Sequence, residues 1–317
     1  MTSRALTAKQ PLMIALALVV TVLRATPLSA QQEDPLPGIL ATMSTLPGTI
    51  PTYYPAGSVE RAKRLQAMLT EGVAFYRRRL DIDQPVSLAL LGPAEWRAWN
   101  PQYTAPGGAP YSSMLPGVTR LPDRPPIMLL AAQSGHALSD IILRTWPQSP
   151  ELAALGPSAD SVADRYAALV GFHELGHVYT RADSVLPSEG WFNEFLATYL
   201  EYAFLRERYP DDARLWDVAS TALLNHLQPK QTPLAKMHGG GGGGPDTYVW
   251  YHSSLQTRVR EVYDAQGLDF YQKVRSRRSE IGPGGKTPLM QTLEQIAPGF
   301  LAWEAKYHSG EGRETKR

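Results

Sequence analysis

The short apolar runs that can form strands all fall before residue 135 of this chain, and beyond Gly135 apolar residues recur at helical spacing almost to the end. A run of four to eight apolar residues closed off by proline or glycine reads as a buried strand. Apolar positions at i, i+3, i+4 and i+7 read as one face of a helix. Strands early and helices late predict an α+β chain, with a small N-terminal mixed lobe, a mainly helical C-terminal lobe and a cleft between them.

The strand-like runs are 86–91, between Pro85 and Gly92, and 127–132, after Pro125 and Pro126. A short helix is expected at 94–99, and the Pro- and Gly-rich residues 100–126 between the strands read as loop or irregular hairpin. Residues 58–80 place Val59, Ala62, Leu65, Met68, Leu69, Val73 and Tyr76 on one helical face. Further helices are expected at 136–146, 160–181, 191–209, 211–228, 247–265 and 267–278. The main domain then runs over 58–308, as a mixed lobe at 58–135 and a helical lobe at 136–308. Residues 31–57 read as an extended lead-in with little core, the six glycines at 239–244 as a surface loop, and 309–317 as a polar tail.

The first thirty residues differ from the rest. Arg4 and Lys9 precede an apolar run at 11–23 that is short for a membrane span, and Ser29 and Ala30 form a small-residue end before Gln31. This is the pattern of a signal peptide cleaved after Ala30, so the chain is expected to be secreted or periplasmic without stable membrane insertion. Cleavage removes Arg4, Lys9 and Arg24 and takes the formal charge from +1 to −2, which gives no basis for binding nucleic acid. The absence of cysteine excludes disulfides, thiolate ligands and a cysteine nucleophile. Nothing in the sequence specifies an oligomeric state.

Inside the expected helix at 160–181 stands His173-Glu174-Leu175-Gly176-His177. A separation of four residues sets both imidazoles on one face, a turn apart, where two ring nitrogens reach one ion. Glu174 points about a hundred degrees round the helix from His173, within reach of a water on that ion. Val162, Tyr166, Leu169 and Val170 upstream are apolar at the spacing that buries a face. Catalytic zinc usually takes three protein ligands, so a third is needed downstream. Residues 191–202 begin a second amphipathic helix with Glu194 in its first turn and sixteen residues between it and His177.

The block Trp191-Phe192-Asn193-Glu194-Phe195-Leu196-Ala197, taken with H-E-x-x-H, resembles the gluzincin branch of zinc metallopeptidases, and in particular the W-L-N-E-G-F-A block of the M1 aminopeptidases. The resemblance implies a zincin-like fold, zinc held by His173, His177 and Glu194, and Glu201 orienting a ligand histidine. It departs from the M1 pattern in a His–Glu spacing about two residues shorter, in Phe195 where glycine is usual, and in lacking a G-x-M-E-N element before His173. The order of elements fits the smaller peptidase MA-like proteins better than an aminopeptidase.

Hydrolysis also needs a group to stabilise the developing oxyanion. Tyr251 is the first candidate, because Tyr251 and Ser254 resemble the Y-x-x-[G/S] start of the corresponding helix, with Tyr248 and His252 behind it. The expected chemistry is hydrolysis of peptide or protein substrates by zinc-activated water, with Glu174 as general base and Tyr251 at the oxyanion. Two other readings stay open: a non-catalytic binding or scaffold protein on a peptidase fold, and a zinc hydrolase of a non-peptide amide or ester. His136, His226, His238 and His308 read as surface residues.

Overall fold

The computed structural model describes residues 34–99, 117–120, 125–133, 137–237 and 244–308. The expected signal peptide at 1–30 and polar tail at 309–317 lie outside the described residues. So do most of the 100–126 stretch and the glycine run up to residue 243. The chain divides into one unit over Met1–Asp34 and a second over Pro35–Arg317, and the architecture that follows is that of the second.

The fold is mixed α+β. Five strands, β1 (Ser44–Leu46), β2 (Thr52–Tyr54), β3 (Ser87–Leu91), β4 (Gly117–Arg120) and β5 (Ile127–Ala131), form one sheet in the order β1-β2-β3-β5-β4. The inner strands β2, β3 and β5 are parallel, while β1 and β4 pair antiparallel at the edges. Every residue of β3 and β5 is buried. Alternate side chains point to opposite faces of a strand. Leu88, Leu90, Met128 and Leu130 therefore join the large helical core, and Ala89, Leu91, Leu129 and Ala131 join a smaller cluster with Leu36 and Trp96. Two covered faces account for runs that are apolar throughout rather than alternating.

That second face corrects the reading of residues 31–57. Far from being an extended lead-in, they supply α1 (Leu36–Ala41), β1 and β2, and bury Leu36 and Ile50. α1 packs with α3 (Pro93–Trp99) over the face that the large helices leave uncovered. Within 100–126, the segment that emerges is β4, paired in register from Gly117 opposite Leu130 to Arg120 opposite Ile127.

The helices follow the expected order, as α2 (Val59–Leu80), α4 (Ala137–Thr145), α5 (Pro150–Ala153), α6 (Ala159–Ala182), α7 (Gly190–Arg208), α8 (Pro210–His226) and α9 (Gly244–Gln266). The short helices α10 (Asp269–Ser276), α11 (Arg278–Ile281), α12 (Leu289–Ile296) and α13 (Phe300–His308) complete the chain. α6 starts where the Ser158 hydroxyl accepts from the backbone N–H of Ser161 at 3.2 Å, with Asp160 in the first turn. At its far end Asp183 pairs with Arg275 of α10 at 2.7 Å, and Arg275 also donates to the carbonyl of Leu80.

α6 and α7 are not amphipathic as expected. All residues from Leu169 to Thr180 and from Glu194 to Leu205 are buried, because α2, α4 and β4 pack on α6 while α8 and α9 pack on α7. A helix enclosed on all sides must be apolar all round except where polar groups meet each other. The exceptions here include His173, Glu174, His177, Glu194, Thr198 and Glu201.

The two helices cross closely at one glycine. A Cβ on Gly176 would lie 2.6 Å from the carbonyl oxygen and 2.8 Å from the Cα of Ala197, both backbone atoms that cannot rotate away. Gly176→Ala must therefore push α6 and α7 apart. The expected cost is about 3 kcal/mol, the upper range for an overpacked core, read as a lower midpoint in urea unfolding. An unchanged midpoint would contradict the close crossing.

Candidate metal centre

The crossing brings the polar groups of the two helices together. His173 and His177 stand one turn apart on α6, with ring centroids 4.8 Å apart and ring planes at 89°. Glu194, in the first turn of α7, points its carboxylate between them. Its Oε2 lies 3.0 Å from Nε2 of His173 and 3.3 Å from Nε2 of His177. All three side chains are buried, with residue exposures of 7%, 9% and 8%.

His252, from α9, comes to the same carboxylate. Its Nε2 is 3.8 Å from Oε2 of Glu194, and its ring is 5.4 Å from that of His173. Ligand atoms of His173, Glu194 and His252 lie within 4.8 Å of one another, a group that could hold a metal ion. His177 is outside that mutual set yet touches Glu194 more closely than His252 does. Ligands about 2.0–2.1 Å from a tetrahedral ion are separated by about 3.3 Å. The spacings of His173 and His177 from Glu194 match that figure, and His252 stands slightly farther out. Two imidazoles and a carboxylate are also donor types that suit zinc.

The far side of each imidazole is anchored. Nδ1 of His173 lies 3.3 Å from the Thr198 hydroxyl, which donates to the carbonyl of Glu194 at 2.9 Å and so accepts from the ring. Nδ1 of His177 lies 3.1 Å from the side-chain amide of Asn193. When Nε2 is committed to an ion, Nδ1 carries the proton, and the amide oxygen of Asn193 is the acceptor it needs after a half-turn of that group. Glu201, expected to orient a histidine, is fully buried with Oε2 3.8 Å from Nδ1 of His173, so Thr198 is the nearer partner. Burial, aided by the charge of Glu174, pushes the Glu201 carboxyl well above the usual range.

Glu174 is buried in the same helix and reaches a different element. The hydroxyl of Thr119 on β4 donates to its Oε2 at 2.6 Å. This strand belongs to a stretch whose sequence reads as loop, so Thr119 carries no signal of its own.

The candidates on α9 separate by helical phase. Tyr251 is not brought to the centre: its hydroxyl donates to the carbonyl of Pro233 at 2.9 Å, its ring stacks on His308, and burial pushes its pKa up to about 12. One residue on, His252 faces Glu194 and His173, with the half-exposed Tyr248 ring 4.5 Å away. His308, expected at the surface, is buried instead. One ring nitrogen lies 2.7 Å from the carbonyl of Thr232 and the other 3.1 Å from the Ser254 hydroxyl, and burial lowers its pKa to about 4. His226 is exposed as expected, and His136 and His238 lie outside the described residues.

Comparison with protein-family models, with curated proteins and with solved structures finds no match for this chain.

Burial opposes the charge of Glu194, but the imidazoles of His177 and His173 prevail and hold its carboxyl well below the usual range. Burial likewise opposes a proton on His177, yet the Glu194 carboxylate, with help from Glu174, raises its pKa from 6.5 to about 9. This pairing stabilises the metal-free fold fully below about pH 6.5 and is lost as pH rises through about 9. Metal binding must displace the same proton. Apparent zinc affinity should therefore rise about tenfold per pH unit between about pH 7 and 8, read by competition with a chromophoric chelator. An affinity independent of pH over that interval would contradict the assignment of His177.

Proposed function

We propose that this chain is a secreted or periplasmic zinc-dependent peptidase of the gluzincin type. In this reading its fold is zincin-like, with an active-site cleft between the mixed lobe at 58–135 and the helical lobe at 136–308. The observation that carries it is the convergence of His173 and His177 on one carboxylate oxygen of Glu194, at 3.0 and 3.3 Å, with Glu174 buried between the two histidines in sequence.

Nε2 of His173, Nε2 of His177 and the Glu194 carboxylate would hold the zinc. Zinc, when bound, acidifies water and polarises a carbonyl oxygen. Glu174 takes the proton of the attacking water and hands it to the departing amine. His252 stands on the α9 side, where its Nε2–H can donate to the substrate oxygen as negative charge develops. In this role it replaces Tyr251, whose hydroxyl is committed to Pro233. Thr198 and Asn193 fix the two ligand rings, which makes the donor set rigid before the ion arrives.

A second reading, a non-catalytic protein with structural zinc, draws on the nearness of His252. Four protein ligands would close the ion to substrate. Glu174 weighs against it, since a closed structural site has no use for a buried carboxylate beside its ligands. A hydrolase of a non-peptide amide or ester would use the same residues and differ only in substrate.

Metal analysis of the purified protein, followed by a peptide-library digest with and without chelator, separates these readings. One zinc per chain and chelator-sensitive cleavage are expected. Glu174→Gln should keep the zinc and lose at least about a hundredfold in rate, whereas Tyr251→Phe should cleave like the wild type. Full turnover by Glu174→Gln would overturn the base assignment, and stoichiometric zinc without cleavage of any peptide would overturn the peptidase reading.

A further inference from the structure

The proposed base and the proposed ligands are supported by different parts of the fold. His173, His177 and Glu194 are held by contacts between α6 and α7, but the nearest donor to Glu174 comes from the sheet. Thr119 of β4 sits opposite Met128 of β5, which is fully buried in the large core. Antiparallel pairing thus fixes the backbone of Thr119, and its branched side chain has few rotamers open to it. The hydroxyl lies 2.6 Å from Oε2 of Glu174 and 3.1 Å from the Glu174 carbonyl, so the carboxylate is the closer of its two acceptors.

We propose that Thr119 is a positioning residue that fixes the carboxylate of Glu174. A glutamate side chain has three rotatable torsions, and an unrestrained one samples orientations that do not face the attacking water. By donating its single proton to Oε2, the Thr119 hydroxyl selects one orientation and leaves Oε1 to receive the water's proton. The orientation of the base is therefore set by the β4–β5 ladder, while the ligand geometry is set by the helix crossing.

This inference rests on the peptidase reading for its kinetic consequence but not for its geometry. Thr119→Val keeps the shape and strand propensity and removes the donor; Thr119→Ser restores a donor. Crystal structures of the zinc-loaded wild type and both variants should show Glu174 in a single orientation in the wild type and Ser forms, and in several in the Val form. With a peptide substrate, Thr119→Val should bind zinc normally, keep its KM within about twofold and lose about tenfold in kcat, with Thr119→Ser close to wild type. An unmoved Glu174 in Thr119→Val, or a Ser form as impaired as the Val form, would overturn the proposal. If the wild type cleaves no peptide, the peptidase reading falls, and the crystallographic comparison alone then decides whether Thr119 orients Glu174.

Discussion

Where α6 crosses α7, the missing side chain of Gly176 lets the backbone of Ala197 approach to a distance that any Cβ would forbid. The contacts between α6 and α7 at the centre depend on that approach. It places the first turn of α7 beside the middle of α6, so that Glu194 reaches His173 and His177 and Asn193 and Thr198 reach the other nitrogens of the same rings. A wider separation would pull all four contacts apart together. Both helices are also enclosed by others and the sheet, which removes any need for a polar outer face.

The enclosure also raises the stakes for charge. Three imidazoles and the carboxyl groups of Glu174, Glu194 and Glu201 lie in a region largely withdrawn from water, and buried ionisable groups are tolerated only when paired, protonated or bound to a metal. Without an ion, the proton held by His177 against Glu194 performs that role. With an ion, the same donors are free to bind it. Glu201, with no charged partner in hydrogen-bonding range among the described residues, takes the other route and is driven toward its neutral form.

Much of this was legible from the residues. The separation of strand-like runs from helical ones foretells the α+β order, and the spacing of His173 and His177 foretells that they share one helix face; Glu194 is singled out by the resemblance of the block around it, not by spacing. The residue Gly176 is visible in the motif, but its meaning is not, because it depends on which helix crosses there. Tyr251 and His252 differ by one residue, hence about a hundred degrees of helical phase. Which one faces the centre depends on how α9 docks against α7, information that no local pattern carries. β1, β2 and β4 are three or four residues long, too short for a period to register, and Thr119 lies on the last of them. His308 is buried because α13 folds back onto α9, through Trp303 to the Ser254 carbonyl and His308 to its hydroxyl.

The central claim is that an ion sits among His173, His177 and Glu194, and zinc K-edge X-ray absorption on the loaded protein addresses it most directly. The expected spectrum has four or five nitrogen and oxygen neighbours at about 2.0–2.1 Å, with the outer-shell scattering of at least two imidazoles. His177→Ala should remove one imidazole from that pattern. A spectrum that the loss of His177 leaves unchanged, or a protein that retains no stoichiometric zinc, would contradict the account.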